Sequence, residues 1–192
     1  SDLTGKEVAA TYLHERSRRS GPLLAINLAC LPRELVESEL FGHAKGAFTG
    51  ADRKKRGLFA EAGQGTLFLD EISELPLELQ PKLLRVLESR SFRPVGETRE
   101  QPLQARLICA TNRDLRALVR QGVFREDLYY RLAVLPIELP PLRVHPDDIV
   151  PIAEHWLQKI DAQSSTPPPS SPLRFSDDAR RALTEHDYPG NV

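Results

Sequence analysis

The six residues Thr66-Leu67-Phe68-Leu69-Asp70-Glu71 constrain this chain more than any other stretch. An uncharged, mostly apolar run enters through Gly63-Gln64-Gly65 and ends on two adjacent carboxylates. Short apolar runs bounded by turn formers suit strands buried on both faces, as in a parallel sheet covered by helices. Ligands bind such sheets beyond the carboxyl ends of the strands. The two acids are therefore expected at a ligand-binding edge, although acidic first-turn residues of a following helix would read the same way. Leu23-Leu24-Ala25-Ile26-Asn27-Leu28, entered through Gly21-Pro22, is a second such run. Arg106-Leu107-Ile108-Cys109-Ala110 is a third, and Val134-Leu135-Pro136-Ile137 a weaker fourth.

Helical patterns separate the runs. Residues 7–18 carry Val8, Ala9, Tyr12 and Leu13 on one side. Residues 82–88 carry Leu83, Leu84, Val86 and Leu87, with Pro81 expected in the first turn, where a missing N–H costs little. Residues 115–121 form a short helix ending at Gly122, capped by Asn112 or Asp114. Strands alternating with helices predict an α/β sandwich with a mainly parallel sheet. From about residue 143 the pattern turns helical: residues 147–160 place Ile149, Ile152, Ala153, Trp156, Leu157 and Ile160 on one face. Residues 163–172, all Gln, Ser, Thr and Pro, read as a linker. Ser176 then caps a last helix running to about His186. The expected organisation is an α/β unit over 1–142 and a helical subdomain over 143–192.

Composition excludes several classes. With 192 residues, one domain and a small appendage are expected. Lys plus Arg number 26 against 27 Asp plus Glu, which does not suit a dedicated nucleic-acid-binding module. The uncharged stretch 21–32 is too short to span a bilayer, and no charged-then-apolar leader opens the sequence, so neither membrane nor export is expected. Cys30 and Cys109, each in an apolar run, read as reduced, buried, small hydrophobes of a cytosolic protein. His14, His43, His145, His155 and His186 have no metal-ligand spacing.

The acid pair suits nucleotide hydrolysis. One carboxylate holds Mg²⁺, and the next orients and deprotonates water. Gly5-Lys6, opening a helix, matches the tail of a phosphate-binding loop, with Glu7 where Ser or Thr is usual. Gly46-Ala47-Phe48-Thr49-Gly50-Ala51 sets one aromatic among small residues: either a mobile loop presenting a phenyl ring, or a turn whose Phe48 plugs the core. The basic run Asp52-Arg53-Lys54-Lys55-Arg56 is a solvated face or a phosphate contact. Arg125 and Arg131, about 120° apart on a helix, either pair locally with Glu126 and Asp127 or reach a γ-phosphate on a neighbouring subunit. Thr111-Asn112 after the third strand either senses that phosphate or caps the next helix. Asn27, polar within an apolar run, needs a partner if buried, either Glu71 or an ordinary backbone bond.

In order and spacing these segments resemble the AAA+ central domain of bacterial sigma-54-dependent transcriptional activators, the enhancer-binding proteins. Glu39-Leu40-Phe41-Gly42-His43 leading into Gly46-Ala47-Phe48-Thr49-Gly50-Ala51 is similar to the family's GAFTGA loop. Gly65-Thr66-Leu67-Phe68-Leu69-Asp70-Glu71 resembles its Walker B, and Ala110-Thr111-Asn112-Arg113-Asp114-Leu115 its sensor I. Phe124-Arg125-Glu126-Asp127-Leu128 with Arg131-Leu132 resembles the arginine-finger region. Leu139-Pro140-Pro141-Leu142-Arg143 and Tyr188-Pro189-Gly190-Asn191-Val192 also match.

The resemblance implies a P-loop NTPase three-layer αβα sandwich with a small C-terminal helical lid. It implies an ATPase ring of six or seven subunits with nucleotide between them. Gly5, Lys6 and Glu7 would lie at the phosphates, with Lys6 holding the β and γ groups. Asp70 would hold Mg²⁺, and Glu71 would activate water. Asn27 would restrain Glu71, while Thr111 and Asn112 sense the γ-phosphate. Arg125 and Arg131 would reach in from the adjacent subunit. The 46–51 loop would engage sigma-54 RNA polymerase holoenzyme and remodel its closed promoter complex into an open one. Promoter DNA would thus be reached indirectly, and enhancer DNA through a domain outside this chain. The family's first strand and most of its phosphate loop are expected to be missing between Leu3 and Gly5. The lid is expected to stop before the sensor II arginine, and Val144-His145 replaces the family's more usual Glu-Arg. The alternative is a hydrolysis-deficient interaction domain of the same fold.

Overall fold

The computed structural model describes residues 5–163, 173–186 and 188. Most of the expected linker, the segment before residue 5 and residues 189–192 lie outside the described residues. The chain divides into two compact units, Lys6–Pro136 and a second that takes in Gly5 and the residues from Ile137 onward.

The first unit runs through α1 (Gly5–Arg16), β1 (Leu23–Asn27), α2 (Arg33–Phe41), β2 (Gly42–His43), β3 (Lys55–Arg56) and α3 (Leu58–Glu61). It continues through β4 (Thr66–Asp70), α4 (Gln80–Ser89), β5 (Ser91–Phe92), β6 (Gln101–Pro102), β7 (Arg106–Cys109), α5 (Leu115–Arg120) and α6 (Glu126–Leu132). Its main sheet has three strands in the order β1-β4-β7, all parallel. Leu67 and Leu69 in the central strand are fully buried, beneath a core with Phe59, Ile72, Leu83, Phe124 and Leu128. Burying one such side chain contributes about 1.5–3 kcal/mol.

The structure corrects three expectations here. Cys30 is exposed rather than buried, because it ends the short 3-10 turn Leu28–Cys30 beyond β1 and does not lie in the sheet. The flanking β1 and β7 are only half-buried, because each pairs with β4 alone in a sheet of three strands. Val134-Leu135-Pro136-Ile137 is not a strand: Val134 and Leu135 are exposed, and Pro136 has no N–H for a ladder. β1 enters the sheet where backbone crosses backbone. A Cβ on Gly21 would stand 2.2 Å from Gly65 N, and one on Gly65 2.0 Å from Pro22 O. Only glycine fits both places, and Thr66 N donates to Pro22 O at 2.9 Å just beyond. Asp114 caps α5, its carboxylate accepting from Arg116 N at 2.9 Å.

In the second unit, α7 (Pro146–Gln163) carries the buried Ile149 and packs with α8 (Asp177–Glu185). Ser176 caps α8, accepting from Ala179 N. Arg180 meets Glu154 at 2.6 Å, joining the two helices. No helix among the described residues is long and apolar enough to cross a membrane.

Candidate functional site

Four segments of the first unit converge on the carboxyl end of β4. Asn27 and Asp70 are register partners at the ends of β1 and β4. The next residue, Glu71, adopts a left-handed conformation (φ 52°, ψ 51°), which costs roughly 1–2 kcal/mol for a non-glycine residue. That turn brings Ile72 N to Ala110 O at 2.9 Å, beyond the end of β7. Glu71 Oε2 accepts from Asn112 N at 3.3 Å, and Glu71 Oε1 accepts from Lys6 Nζ at 2.7 Å. Lys6, in the first turn of α1, also stands 3.5 Å from Asp70 Oδ1. All three charged side chains are mostly shielded from solvent.

Asp70 Oδ1 is buried and accepts no hydrogen bond. An anionic oxygen with no hydrogen bond, and with only the Lys6 ammonium at 3.5 Å beside it, fits a hard divalent cation, which Mg²⁺ sites complete with water and phosphate oxygens. No cluster of three or more His, Cys, Asp or Glu able to hold a metal occurs among the described residues.

The Asn27–Glu71 contact expected from the sequence is not formed. Asn27 Nδ2 donates to Asp70 Oδ2 at 3.2 Å, and Asn27 Oδ1 accepts from Ala29 N at 2.9 Å. Parallel pairing sets Asn27 level with Asp70, while Glu71 has turned toward Asn112. Thr111 Oγ1 donates to Ser73 Oγ at 3.0 Å and accepts from Arg113 N at 3.0 Å. The Asn112 side chain is exposed. Gly5 begins α1, and Glu7 is on it as a half-buried residue.

The 46–51 segment spans the β2–β3 hairpin. Phe48 is 43% exposed, so it does not plug the core. Its ring meets the buried His43 edge-on at 4.9 Å, and His43 Nδ1 pairs with Ser38 Oγ at 2.9 Å. Gly46 N donates to Ala51 O at 2.8 Å, and Ala51 N to Phe48 O at 3.0 Å, closing the loop on itself. Gly46 and Gly50 have positive φ and open space around them. At the hairpin base, a Cβ on Gly42 (φ 76°) would stand 2.5 Å from Gly57 N. The following basic run is largely engaged: Lys54 pairs with Glu97, Lys55 with Glu39, and Arg56 donates to Ala60 O.

Arg125 caps the start of α6 and Arg131 lies in its last turn, both exposed. Arg125 forms a two-pronged pair with Asp127, at 2.7 and 3.1 Å, and this guanidinium holds the Asp127 carboxyl below its ordinary pKa. Arg131 donates to Leu87 O at 3.1 Å.

Sequence reasoning missed Gln80. Gln80 has no exposed surface, and all of its side-chain polar capacity but one lone pair is spent on Leu75, Val123 and Arg125, across two segments. The signal was present: Gln80, Leu83, Leu84 and Leu87 follow an i, i+3, i+4, i+7 stripe, so a polar residue stood at a core position of α4.

A family model for the sigma-54 interaction domain matches residues 2–138. The DNA-binding transcriptional regulator NtrC of Azospirillum brasilense is 50% identical over 191 residues, covering 98% of this chain and 38% of that protein. The Escherichia coli K12 transcriptional activator HyfR is 53% identical over 190 residues, covering 98% of this chain and 28% of its own. The crystal structure of NtrX from Brucella abortus superposes with a TM-score of 0.85 at 36% identity, over 97% of this chain and 41% of that one. NtrX has also been crystallised with ATP, at a TM-score of 0.81 to this chain. This chain therefore spans well under half the length of these relatives. Its layered parallel sheet is the α/β P-loop NTPase fold of AAA+ proteins. A matching domain model and half-identical relatives together make this chain a member of the sigma-54 interaction domain family, the AAA+ central domain of sigma-54-dependent transcriptional activators.

Proposed function

We propose that this domain is a cytoplasmic ATP-hydrolysing motor that works on the sigma-54 RNA polymerase holoenzyme. The observation that carries the reading is the cluster of Lys6, Asp70 and Glu71 at the end of β4, with Asn27 against Asp70. Its members come from α1, β1, β4 and the turn after β4, so the fold itself assembles them.

Lys6 is the residue for the β- and γ-phosphates of ATP, beside Gly5 and Glu7 at the start of α1. Asp70 would hold Mg²⁺, whose charge neutralises the phosphate oxygens. Glu71 orients the attacking water and takes its proton. In the resting arrangement Lys6 neutralises Glu71. Phosphates that draw Lys6 away would free Glu71 Oε1 as a base. Asn27 bears on Glu71 only through its neighbour Asp70. Thr111 and Asn112, linked to Ser73 and Glu71, are positioned to register the γ-phosphate.

Arg125 and Arg131 serve the site of an adjacent subunit in a ring of six or seven, where transition-state charge is stabilised in trans. The exposed Phe48 and Thr49 engage sigma-54, and nucleotide-driven movement of the 46–51 loop opens the promoter complex. Enhancer DNA is bound by another part of the full-length protein.

The test is ATP turnover by the full-length protein. Glu71→Gln is expected to lower turnover by about 10²–10⁴-fold while ATP still binds. Unchanged turnover, or none in the parent, overturns the motor in favour of an interaction domain. Thr49→Ala is expected to leave ATP binding intact and abolish sigma-54 capture; retained capture would give the loop another task.

A further inference from the structure

We infer that Gln80 is the positioning residue that sets the height and direction of Arg125. The inference rests on the reading of Arg125 as a residue acting on a neighbouring subunit's nucleotide.

Gln80 opens α4 and has no exposed surface. Its Oε1 accepts from Arg125 N at 2.8 Å. Its Nε2 donates to Val123 O at 3.1 Å and to Leu75 O at 3.0 Å. One amide thus grips the backbone on both sides of Phe124, itself buried, and ties it to the segment that follows Glu71 through Ile72–Glu74. No regular strand or helix holds residues 121–125 otherwise. Gly122 N, Val123 N and Phe124 N bond back to α5, but Arg125 N is held by Gln80 alone among the described contacts.

Arg125 caps α6 in extended conformation (φ −76°, ψ 135°), so its side chain leaves the chain just where the amide pins it. Asp127 fixes the guanidinium at rest, and a nucleotide would have to compete with that pair. The backbone anchor has no such competitor. Because Gln80 also bonds Leu75 O, a shift in the turn after Glu71 is passed to the base of Arg125. A subunit's own acid site and the arginine it lends outward are joined through a single side chain.

The test exploits this division of labour. Gln80→Met keeps approximate volume and removes every bond; alone, it is expected to lower ATP turnover about tenfold or more. Glu71→Gln subunits lack a working base but keep Arg125. Mixing the two in equal amounts rebuilds interfaces with Glu71 from one partner and Arg125 from the other. Random assembly leaves about a quarter of interfaces complete in a head-to-tail ring. Turnover recovering to about that level, equal to a control mixture of Arg125→Ala with Glu71→Gln, supports the inference. Full turnover by Gln80→Met alone, or no recovery while the control mixture recovers, overturns it, since damage to the variant's own site or fold is not rescued by a partner. Failure of the control mixture overturns the trans role of Arg125 itself. If Gln80→Met does not yield folded protein, Gln80→Leu, which also removes every bond at similar volume, is mixed in its place and judged by the same outcomes.

Discussion

At the end of β4 each polar contact is drawn from a different segment of the chain, whereas the loop over residues 46–51 leans mostly on itself. Lys6, Asn27 and Asn112 reach the two acids from α1, β1 and the turn after β7. Gly46, Phe48 and Ala51 bond to one another, with His43 and Gly96 as the neighbours beneath. The first arrangement can move only if several elements move together. The second can swing as a piece. A protein that links chemistry to displacement needs both, since preorganised groups lower a barrier and a displaced arm delivers work.

Three measurements bear on this contrast. The largest effect is expected in thiol reactivity. Cys109 pairs in register with Leu69, one residue before Asp70, and burial pushes its thiol up to about 12. The neutral form is therefore favoured, and at pH 8 roughly one part in 10⁴ is thiolate. An alkylating reagent at pH 8 should modify the exposed Cys30 and leave Cys109 unmodified, with reactivity returning only as pH nears 12 or the chain unfolds. Equal labelling of both in the native state, read by peptide mass, would mean that the end of the sheet is loose.

Next in size is Leu69→Ala. Leu69 has no exposed surface, so the substitution should destabilise by about 2–5 kcal/mol in denaturant unfolding. A loss below about 1 kcal/mol would break the claim of a rigid β4. The smallest effect belongs to Phe48→Ala. With the ring exposed and one edge contact to His43, the expected loss is about 0.5–1 kcal/mol. A loss as great as that of Leu69→Ala would return Phe48 to the core.

Much of the fold was legible because its strands are punctuated. Glycine before β1 and β4, and acids after β4, marked ends as well as interiors. The fourth run failed because apolar content alone was read, when Pro136 and the absence of a neighbouring strand decide the matter. Lys6, Asp70 and Glu71 were legible as types and by their place at element ends. The partner of Asn27 was not, since choosing Asp70 over Glu71 depends on register and on the left-handed turn at Glu71, neither of which a residue pattern states. The local pairing of Arg125 with Asp127 was among the readings of the residues themselves, whereas its anchorage by Gln80 is 45 residues distant in sequence and carries no short-range mark.

The pinch at Gly42 and Gly57 has a further consequence. A methyl group there would collide with main chain, so the root of the hairpin is fixed to atomic tolerance. An arm clamped at its shoulder behaves as a lever: a small rotation below is magnified toward the tip, and whatever is gained in travel is given up in force. Under the proposed function, the tip could then change in length and sequence to suit a different target while the acid site at the end of β4 stays as it is.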